Sequence, residues 1–347
     1  LTQQLTLPGA EGEPASRAAR PLRILTVTNQ WPEGSSYRGV YVRQCVDSLR
    51  QLGHVVDVEV VAQSRGRMDH FTAVRRVRRR ARSGAYDVVH VHFGMTAVAA
   101  MFSGPVPRVL TLYGSDINDR WRRWMTKAGW RGVAARIYVS RRLAETAGDP
   151  GGTVIPNGVD FELFRPVDRE TARSRLGLAS GRPTVLFGGD PGRPVKRYDL
   201  FRDVISAIRD RGIDVDELIL SEPGQPHERV VEKLNAADLL LFTSRQGSEG
   251  SPTVVKEAAV VGLPVVTVDV GDVADVLAGV NPSAVVAFPN GVETPETRRN
   301  LVGGLADRAV EVLAAGTRSN GRERSAWLDL RSVAERVVEV YRQVAAG

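Results

Sequence analysis

Apolar residues in this chain fall into short uninterrupted runs, separated by stretches with helical spacing. The runs at 23–29 (RILTVTN), 55–63 (VVDVEVVAQ), 87–92 (DVVHVH), 108–114 (RVLTLYG) and 136–140 (RIYVS) have the length of buried strands. Between them, 40–54 (VYVRQCVDSLRQLGH) has helical intervals and ends near Gly53, a residue suited to a left-handed helix cap. The stretches 71–82 (FTAVRRVRRRAR), 95–102, 120–132 (RWRRWMTKAGWRG) and 141–147 also read as helices. After turn-rich TVIPNGVDFELFRP (153–166) the pattern restarts, with strands at 184–190, 217–221, 239–244, 264–268 and 284–290. Helices fall at 197–211, 226–236, 252–261 and 272–278, and the tail after 294 is helical. Strand–helix alternation in both halves predicts an α/β chain of two doubly wound parallel sheets facing a central cleft. The boundaries read as 22–165 and 166–330, with a last helix at 331–347. Residues 1–21, rich in Gly, Pro, Ala and charge and without a signal-peptide core, are expected to be a disordered leader.

Ligands of such sheets bind beyond the carboxyl ends of the strands. At one such end LLLFTS runs into RQGSEGSPTVVKEA (245–258). Ser251 is a good N-cap, and Pro252 falls at the first helical position, where its missing N–H costs no bond. A helix N-terminus offers free N–H groups and partial positive charge, which suits a phosphate. Glu249 precedes that end, and Glu257 lies roughly 8 Å along it at about 1.5 Å per residue. An extended ligand with a central phosphate would touch both acids; the alternative is a solvated loop acid and an exposed helix residue. At a second strand end, GGDPGRPVKRYDLF (188–201) combines glycines with Arg193, Lys196 and Arg197, cations for phosphate oxygens or a solvated basic turn. In SSYRGVYVRQ (35–44), Gly39 precedes a helix start and would let a phosphate approach from the other domain. No GxGxxG or GxxxxGK[ST] pattern occurs.

The net charge of +7 comes almost wholly from arginine, the only lysines being Lys127, Lys196, Lys233 and Lys256. Such an excess attracts nucleotide phosphates, anionic lipid or nucleic acid, but no nucleic-acid-binding module is present. Arg75, Arg78, Arg79 and Arg82 line one helix face opposite Val74, Val77 and Ala81, a candidate contact for an anionic membrane or a solvated face. Trp121, Trp124 and Trp130 are interleaved with cations, which suits a membrane interface or a packed helix. No apolar run has the length of a membrane span. Cys45 is the only cysteine, which excludes intrachain disulfides and cysteine-rich zinc sites and agrees with a reducing cytoplasm. His90 and His92 point to one face of a strand without a third ligand at useful spacing, and read as core or cleft-wall residues. Asp214-Val-Asp216 resembles a paired-aspartate metal motif but precedes a strand and reads as a solvated loop. No metal and no cofactor are expected.

The chain resembles the retaining glycosyltransferases of family 4, of GT-B fold, over about 22–345. Glu249-x7-Glu257 within ADLLLFTSRQGSEGSPTVVKEAAVVGLPVV is the most specific part, joined by YRGVYVRQ before LGH, DVVHVHFG and VIPNGVDFELFRP. The resemblance implies two Rossmann-like domains, a sugar nucleotide in the cleft, and a final helix crossing back to the first domain. It implies that Glu257 binds the ribose and Glu249 faces the transferred sugar. Backbone groups at Gly250, Ser251, Thr253 and Val254 would hold the diphosphate or sugar, Arg193 and Lys196 would neutralise the diphosphate, and Gly39 would let it pass closely. Tyr113 and Asp116 of TLYGSD would contact the donor sugar, with Tyr113 standing where the family commonly has histidine. Gly189-Asp190 stands where the family often has Gly-Arg. The implied reaction is metal-independent transfer to an acceptor hydroxyl of a glycan, lipid-linked sugar or small molecule, with retention. The lone Cys45 and the arginine face of 75–82 lead us to expect it on the cytoplasmic side, with a peripheral membrane contact as one reading of that face. Asp190 and Tyr113 favour the alternative, a catalytically degraded sugar-nucleotide-binding or scaffold subunit. An epimerase of the same fold is disfavoured by the Glu-x7-Glu segment.

Overall fold

The computed structural model describes residues 20–33, 39–61, 66, 68–83, 86–179, 181–222, 225, 227–289 and 291–346; most of the expected leader lies outside them. The first sheet contains β1 (Arg23–Thr28), β2 (Val55–Val60), β3 (Val88–His92), β4 (Arg108–Leu112), β5 (Ala135–Tyr138) and β6 (Thr153–Val154), in spatial order β2-β1-β3-β4-β5-β6. The second contains β7 (Thr184–Phe187), β8 (Asp216–Ile219), β9 (Leu239–Phe242), β10 (Val265–Val268) and β11 (Ala284–Val286), ordered β11-β10-β9-β7-β8. Every pairing is parallel. The central strands VVHVH, TVLF, LLLF and VVTV are buried at every position, because helices cover both faces of each sheet.

The helices are α1 (Val40–Gln51), α2 (Asp69–Arg82), α3 (Ala97–Ala100), α4 (Ser115–Asn118), α5 (Arg120–Gly129) and α6 (Arg141–Ala147) in the first half. The second half has α7 (Arg169–Leu176), α8 (Tyr198–Asp210), α9 (His227–Ala236), α10 (Thr253–Val260), α11 (Val273–Val276), α12 (Pro295–Ala315), α13 (Gly321–Arg324) and α14 (Leu330–Ala346). One apolar layer joins α2, α3 and α6 to the first sheet through Ala73, Val77, Ala81, Ala100 and Leu143. On the sheet's other face, Val46 and Leu49 of α1 pack with Val333, Val337 and Tyr341 of α14. Thus α14 leaves the second domain and finishes on the first. The chain crosses between domains twice, and the crossings lie side by side: Val159 N–H donates to Leu328 O (2.8 Å) and Leu330 N–H to Val159 O (3.2 Å).

The pattern of apolar positions did not single out α7. RETARSRL has little apolar surface, and Arg173 does the anchoring, buried with its guanidinium on Ala236 O, Thr184 Oγ1 and Asp238. Val74 is only half-buried; Ala73 takes the core position beside Val77 and Ala81.

Candidate active site

In each sheet the strand order reverses beside the first strand, between β1 and β3 in one domain and between β7 and β9 in the other. The loops after these strands face each other across a cavity of about 530 Å³. Gln30, Tyr41, Phe93 and Tyr113 line it from the first domain, and Gly189, Arg193, Lys196, Glu249, Gly250, Ser251, Thr253, Val254 and Glu257 from the second. A cavity of similar size, about 550 Å³, lies at the opposite ends of the second-domain strands. Its Arg169 and Arg173 pair with Asp238, and Arg318 donates to Ala237 O (3.0 Å), so these cations are already engaged by the chain itself. The facing strand ends make the first cavity the candidate site.

Lys196 and Glu249 form an ion pair of 2.8 Å, and Ser244 Oγ donates to the same carboxylate oxygen at 2.9 Å. The stem of Lys196 lies against Gly189, where a Cβ would come within 2.9 Å of its Cγ, and Nζ sits 5.0 Å from the Phe242 ring centre. The loop carrying Lys196 is tied down: Thr243 Oγ1 donates to Lys196 O (3.0 Å), and Arg245 N–H to Val195 O (2.8 Å). Arg193 is exposed at the cavity rim. Asp190 accepts from Gly192 N–H at 2.8 Å, so it shapes the glycine turn. Arg197 differs from its sequence reading. Its αL backbone (φ 54°) turns the guanidinium away from the cavity, onto Glu293 at 2.8 Å and Asp199 at 3.2 Å.

The helix at the centre begins one residue later than its sequence suggests, with Pro252 as N-cap and no side-chain cap. Ser251 is therefore not the cap. Its hydroxyl donates to Asp272 Oδ2 (2.7 Å) and accepts from Lys256 Nζ. Lys256 is fully buried, 3.1 Å from Asp272, and donates to Asn157 O in the interdomain crossing at 3.2 Å. Burial pulls its pKa down, against the pull of Asp272. It thus fastens the loop before α10 to the hinge. Nothing in the sequence marked it, since a lysine on a helix normally faces water. Thr253 and Val254, whose N–H groups have no partner inside the helix, line the cavity.

Glu257 is half-buried at the cavity wall, and among the described residues no group donates a hydrogen bond to its carboxyl. Burial raises its pKa from 4.5 to about 7. Below 4.5 this group is protonated in both folded and unfolded chains. As pH rises from 4.5 to about 7, the unfolded chain loses the proton first and the folded state weakens, by up to about 1.4 kcal/mol per pH unit. Glu257→Gln is therefore expected to flatten the fall of the urea midpoint across that window. Parallel pH curves for the two proteins would show that the carboxyl is not held up by burial.

Two first-domain candidates do not reach the cavity. Gly39, at φ 80°, has the Gln30 carbonyl 2.6 Å from where a Cβ would stand, so its lack of a side chain serves the packing of the Gln30 loop. Asp116 is buried behind the wall and accepts from the N–H groups of Gly94 (3.1 Å) and Gly114 (3.2 Å). It positions the Tyr113–Gly114 turn and does not line the cavity. The Tyr113 ring does line the cavity, packed against Phe93 (4.7 Å) and Tyr41 (4.8 Å), while its hydroxyl is hydrogen-bonded to His92 Nδ1 at 2.6 Å. Phe93 has φ 72°, a strained backbone that turns its ring into this cluster. The domains also touch beside the cavity. Asn118 Nδ2 donates to Gly247 O (2.7 Å), Arg142 pairs with Asp269 (2.7 Å), and Gly250 lies flat against Tyr113 and Gly114.

The profile described as Glycosyltransferase Family 4 matches residues 40–163, and Glycosyl transferases group 1 matches 182–314, one to each domain. The chain belongs to the family 4 glycosyltransferases. Among relatives of this family member, a putative teichuronic acid biosynthesis glycosyltransferase, TuaC, of Bacillus subtilis is 32% identical over 54% of this chain and 54% of its own length. D-inositol 3-phosphate glycosyltransferase of Nocardia farcinica is 28% identical over 69% of this chain and 63% of its own. The chain thus spans between half and two thirds of these curated relatives. Sucrose-phosphate synthase from Thermosynechococcus elongatus superposes with a TM-score of 0.73 at 18% identity, covering 94% of this chain and 99% of that one. HepE of Anabaena, solved with UDP-glucose, gives 0.63 at 18% identity, covering 93% and 100%. These likenesses establish the GT-B fold expected from the sequence. In this family member, Glu249 and Glu257 both fall within the group 1 half.

Proposed function

We propose that this chain transfers a sugar from a nucleoside diphosphate sugar to an acceptor hydroxyl, without a metal ion and with retention at the anomeric carbon. The observation that carries the reading is the cleft-wall arrangement around the α10 N-terminus: a Lys196–Glu249 pair on one side and the Glu257 carboxyl, without a hydrogen-bond donor among the described residues, on the other. A ribose diol supplies the two donors that Glu257 lacks. The diphosphate lies against the N–H groups of Thr253 and Val254, with Lys196 and Arg193 beside it. As the bond from the anomeric carbon to the diphosphate breaks, these groups stabilise the charge on the departing phosphate. The acceptor oxygen bonds to that carbon from the same face, and its proton passes to the phosphate oxygen. Glu249, held by Ser244 and Lys196, orients the sugar hydroxyls. The relatives' names, and the UDP-glucose in the HepE structure, point to the same donor class.

The test is incubation with a panel of sugar nucleotides in EDTA, following nucleoside diphosphate release by mass spectrometry and the product's anomeric configuration by NMR. Turnover with an unchanged anomer is expected. Activity lost in EDTA and restored by Mg²⁺ or Mn²⁺, or an inverted product, would overturn the mechanism. Binding of nucleoside diphosphate without any turnover would favour the scaffold reading.

We further infer that the first domain rests peripherally on an anionic membrane, on the cytoplasmic side. Arg76 and Arg80 turn inward to Glu59 and Asp69, whereas Arg75, Arg78, Arg79 and Arg82 face water. On α5, which belongs to the same layer of helices, Trp121 and Trp124 are 67% and 63% exposed and stacked on each other at 5.5 Å. Exposed indoles beside arginines match a membrane interface. Trp130, by contrast, is partly buried with Arg136 over its ring. No helix among the described residues is long and apolar enough to cross a membrane. Co-sedimentation with phosphatidylglycerol vesicles is expected at low salt, fading as salt rises. It should be lost in the Arg75, Arg78, Arg79, Arg82→Glu variant with donor hydrolysis retained. A wild type that ignores these vesicles makes a soluble acceptor the better reading.

A further inference from the structure

The sequence offers His90 and His92 no third ligand, because spacing along the chain cannot show what packs over a strand. The fold supplies one. His90 and His92 are two residues apart on β3 and point to the face covered by α1 and α14, and Cys45 comes down onto them from α1. One ligand atom from each of the three lies within 4.8 Å of the other two. Beside them is a small cavity of about 40 Å³, walled otherwise mainly by apolar residues such as Ile137, Ile155, Val333 and Val337. We propose that Cys45, His90 and His92 form a binding site for a zinc-like divalent ion between α1, β3 and α14, behind the cleft wall.

Each group is prepared for that role in a different way. His92 engages Tyr113 through Nδ1, which leaves Nε2 buried without a hydrogen-bond partner. A histidine held by one nitrogen with the other free is the usual form of a metal ligand. His90 is held through Nε2 by Thr111 Oγ1 at 2.7 Å, and its Nδ1 meets the Tyr341 hydroxyl at 2.5 Å. That phenol would yield Nδ1 to the ion and bring its own oxygen to the fourth position. Cys45 would lose its thiol proton to solvent on binding, because a buried thiolate needs a cation beside it. Zinc–sulfur and zinc–nitrogen bonds of about 2.3 and 2.1 Å place tetrahedral ligands about 3.5 Å apart, so the cluster must contract by about 1 Å. The two histidines and one thiolate favour zinc-type ions over magnesium or calcium, which take oxygen ligands. The ion would pin α14, through Tyr341, to the first domain. It takes no part in the proposed transfer, so the two proposals stand or fall separately.

Cobalt(II) tests the site through its colour. Protein stripped with EDTA in a phosphine reductant is titrated with Co²⁺. The expected result is a thiolate-to-cobalt charge-transfer band with tetrahedral visible bands, saturating at one equivalent and bleached by Zn²⁺. Cys45 is the only cysteine, so the band has a single source. Cys45→Ser should lose it, and His92→Asn should weaken cobalt binding on the order of 100-fold. Thermal melts report whether each variant is folded. Wild-type protein that shows only the pale spectrum of hydrated or six-coordinate cobalt overturns the proposal whatever the variants do. So does a thiolate band whose affinity is unchanged in folded His92→Asn.

Discussion

Gly250→Ala is expected to lower kcat/KM for sugar transfer by about 100-fold or more while the protein still binds free nucleoside diphosphate. A Cβ on Gly250 would stand 2.0 Å from the carbonyl oxygen of Tyr113 and 3.3 Å from the Cα of Gly114. Both are backbone atoms of the other domain, so no side chain can swing aside. The Tyr113–Gly114 turn is also held from behind by Asp116. The cleft can then relieve the clash only by opening about 1 Å at this point. A misplacement of that size costs about 10² in rate when the reacting groups come from facing walls. In the proposed pose the nucleotide is held by Glu257 and the α10 N-terminus, both of the second domain, so its affinity should change much less. Steady-state kinetics and calorimetry on the same variant separate the two effects. Wild-type turnover in Gly250→Ala would mean that transfer does not require this closed contact.

Lys196→Ala is expected to reduce kcat by about 10²–10³, the cost of removing one preorganised group from a developing anion. Lys196 is a cavity-lining cation fixed on three sides: its stem lies on Gly189, its backbone is held by Thr243, and its ammonium by Glu249. Arg193 is exposed at the rim and is not held in one place in this way. Lys196→Arg should fail to rescue, because a planar guanidinium does not reproduce the compact ammonium held by Glu249 beside the Phe242 ring. Arg193→Ala should cost less than Lys196→Ala. Near-normal kcat in Lys196→Ala, with loss in Arg193→Ala, would reverse the roles given to the two cations.

Much of the cleft was legible in the sequence because its parts are local. The strand ends, the glycine turns and the Glu249-x7-Glu257 spacing are each set within a dozen residues. Where the local reading failed, a distant partner had changed the outcome. Ser251 has the chemistry of an N-cap, but Asp272, packed from the loop before α11, takes its hydroxyl together with the inward-turned Lys256 of α10. Asp116 lies two residues from the cleft-facing Tyr113–Gly114 turn, yet the Gly94 amide of a neighbouring loop draws it inward. Arg197 follows Lys196 directly, but a left-handed backbone and the carboxylate of Glu293 take it to the opposite side.

By itself the sequence determined the alternation of strands and helices, the division into two parallel sheets, and the chemistry at the two strand ends that flank the switch point of the second. These follow from hydrophobic period and turn residues, which act over a few positions and outweigh most context. Tertiary structure alone decided three other things. It placed Gly250 against Tyr113, fastened the α10 loop to the hinge through Lys256, and set Cys45 over His90 and His92. Each joins residues from 45 to 137 positions apart, and no periodicity along the chain encodes such a meeting. The first two arise only when the two domains close on each other, and the last only when helices from both ends of the chain cover the same sheet, so that α1 and α14 share one face of β3.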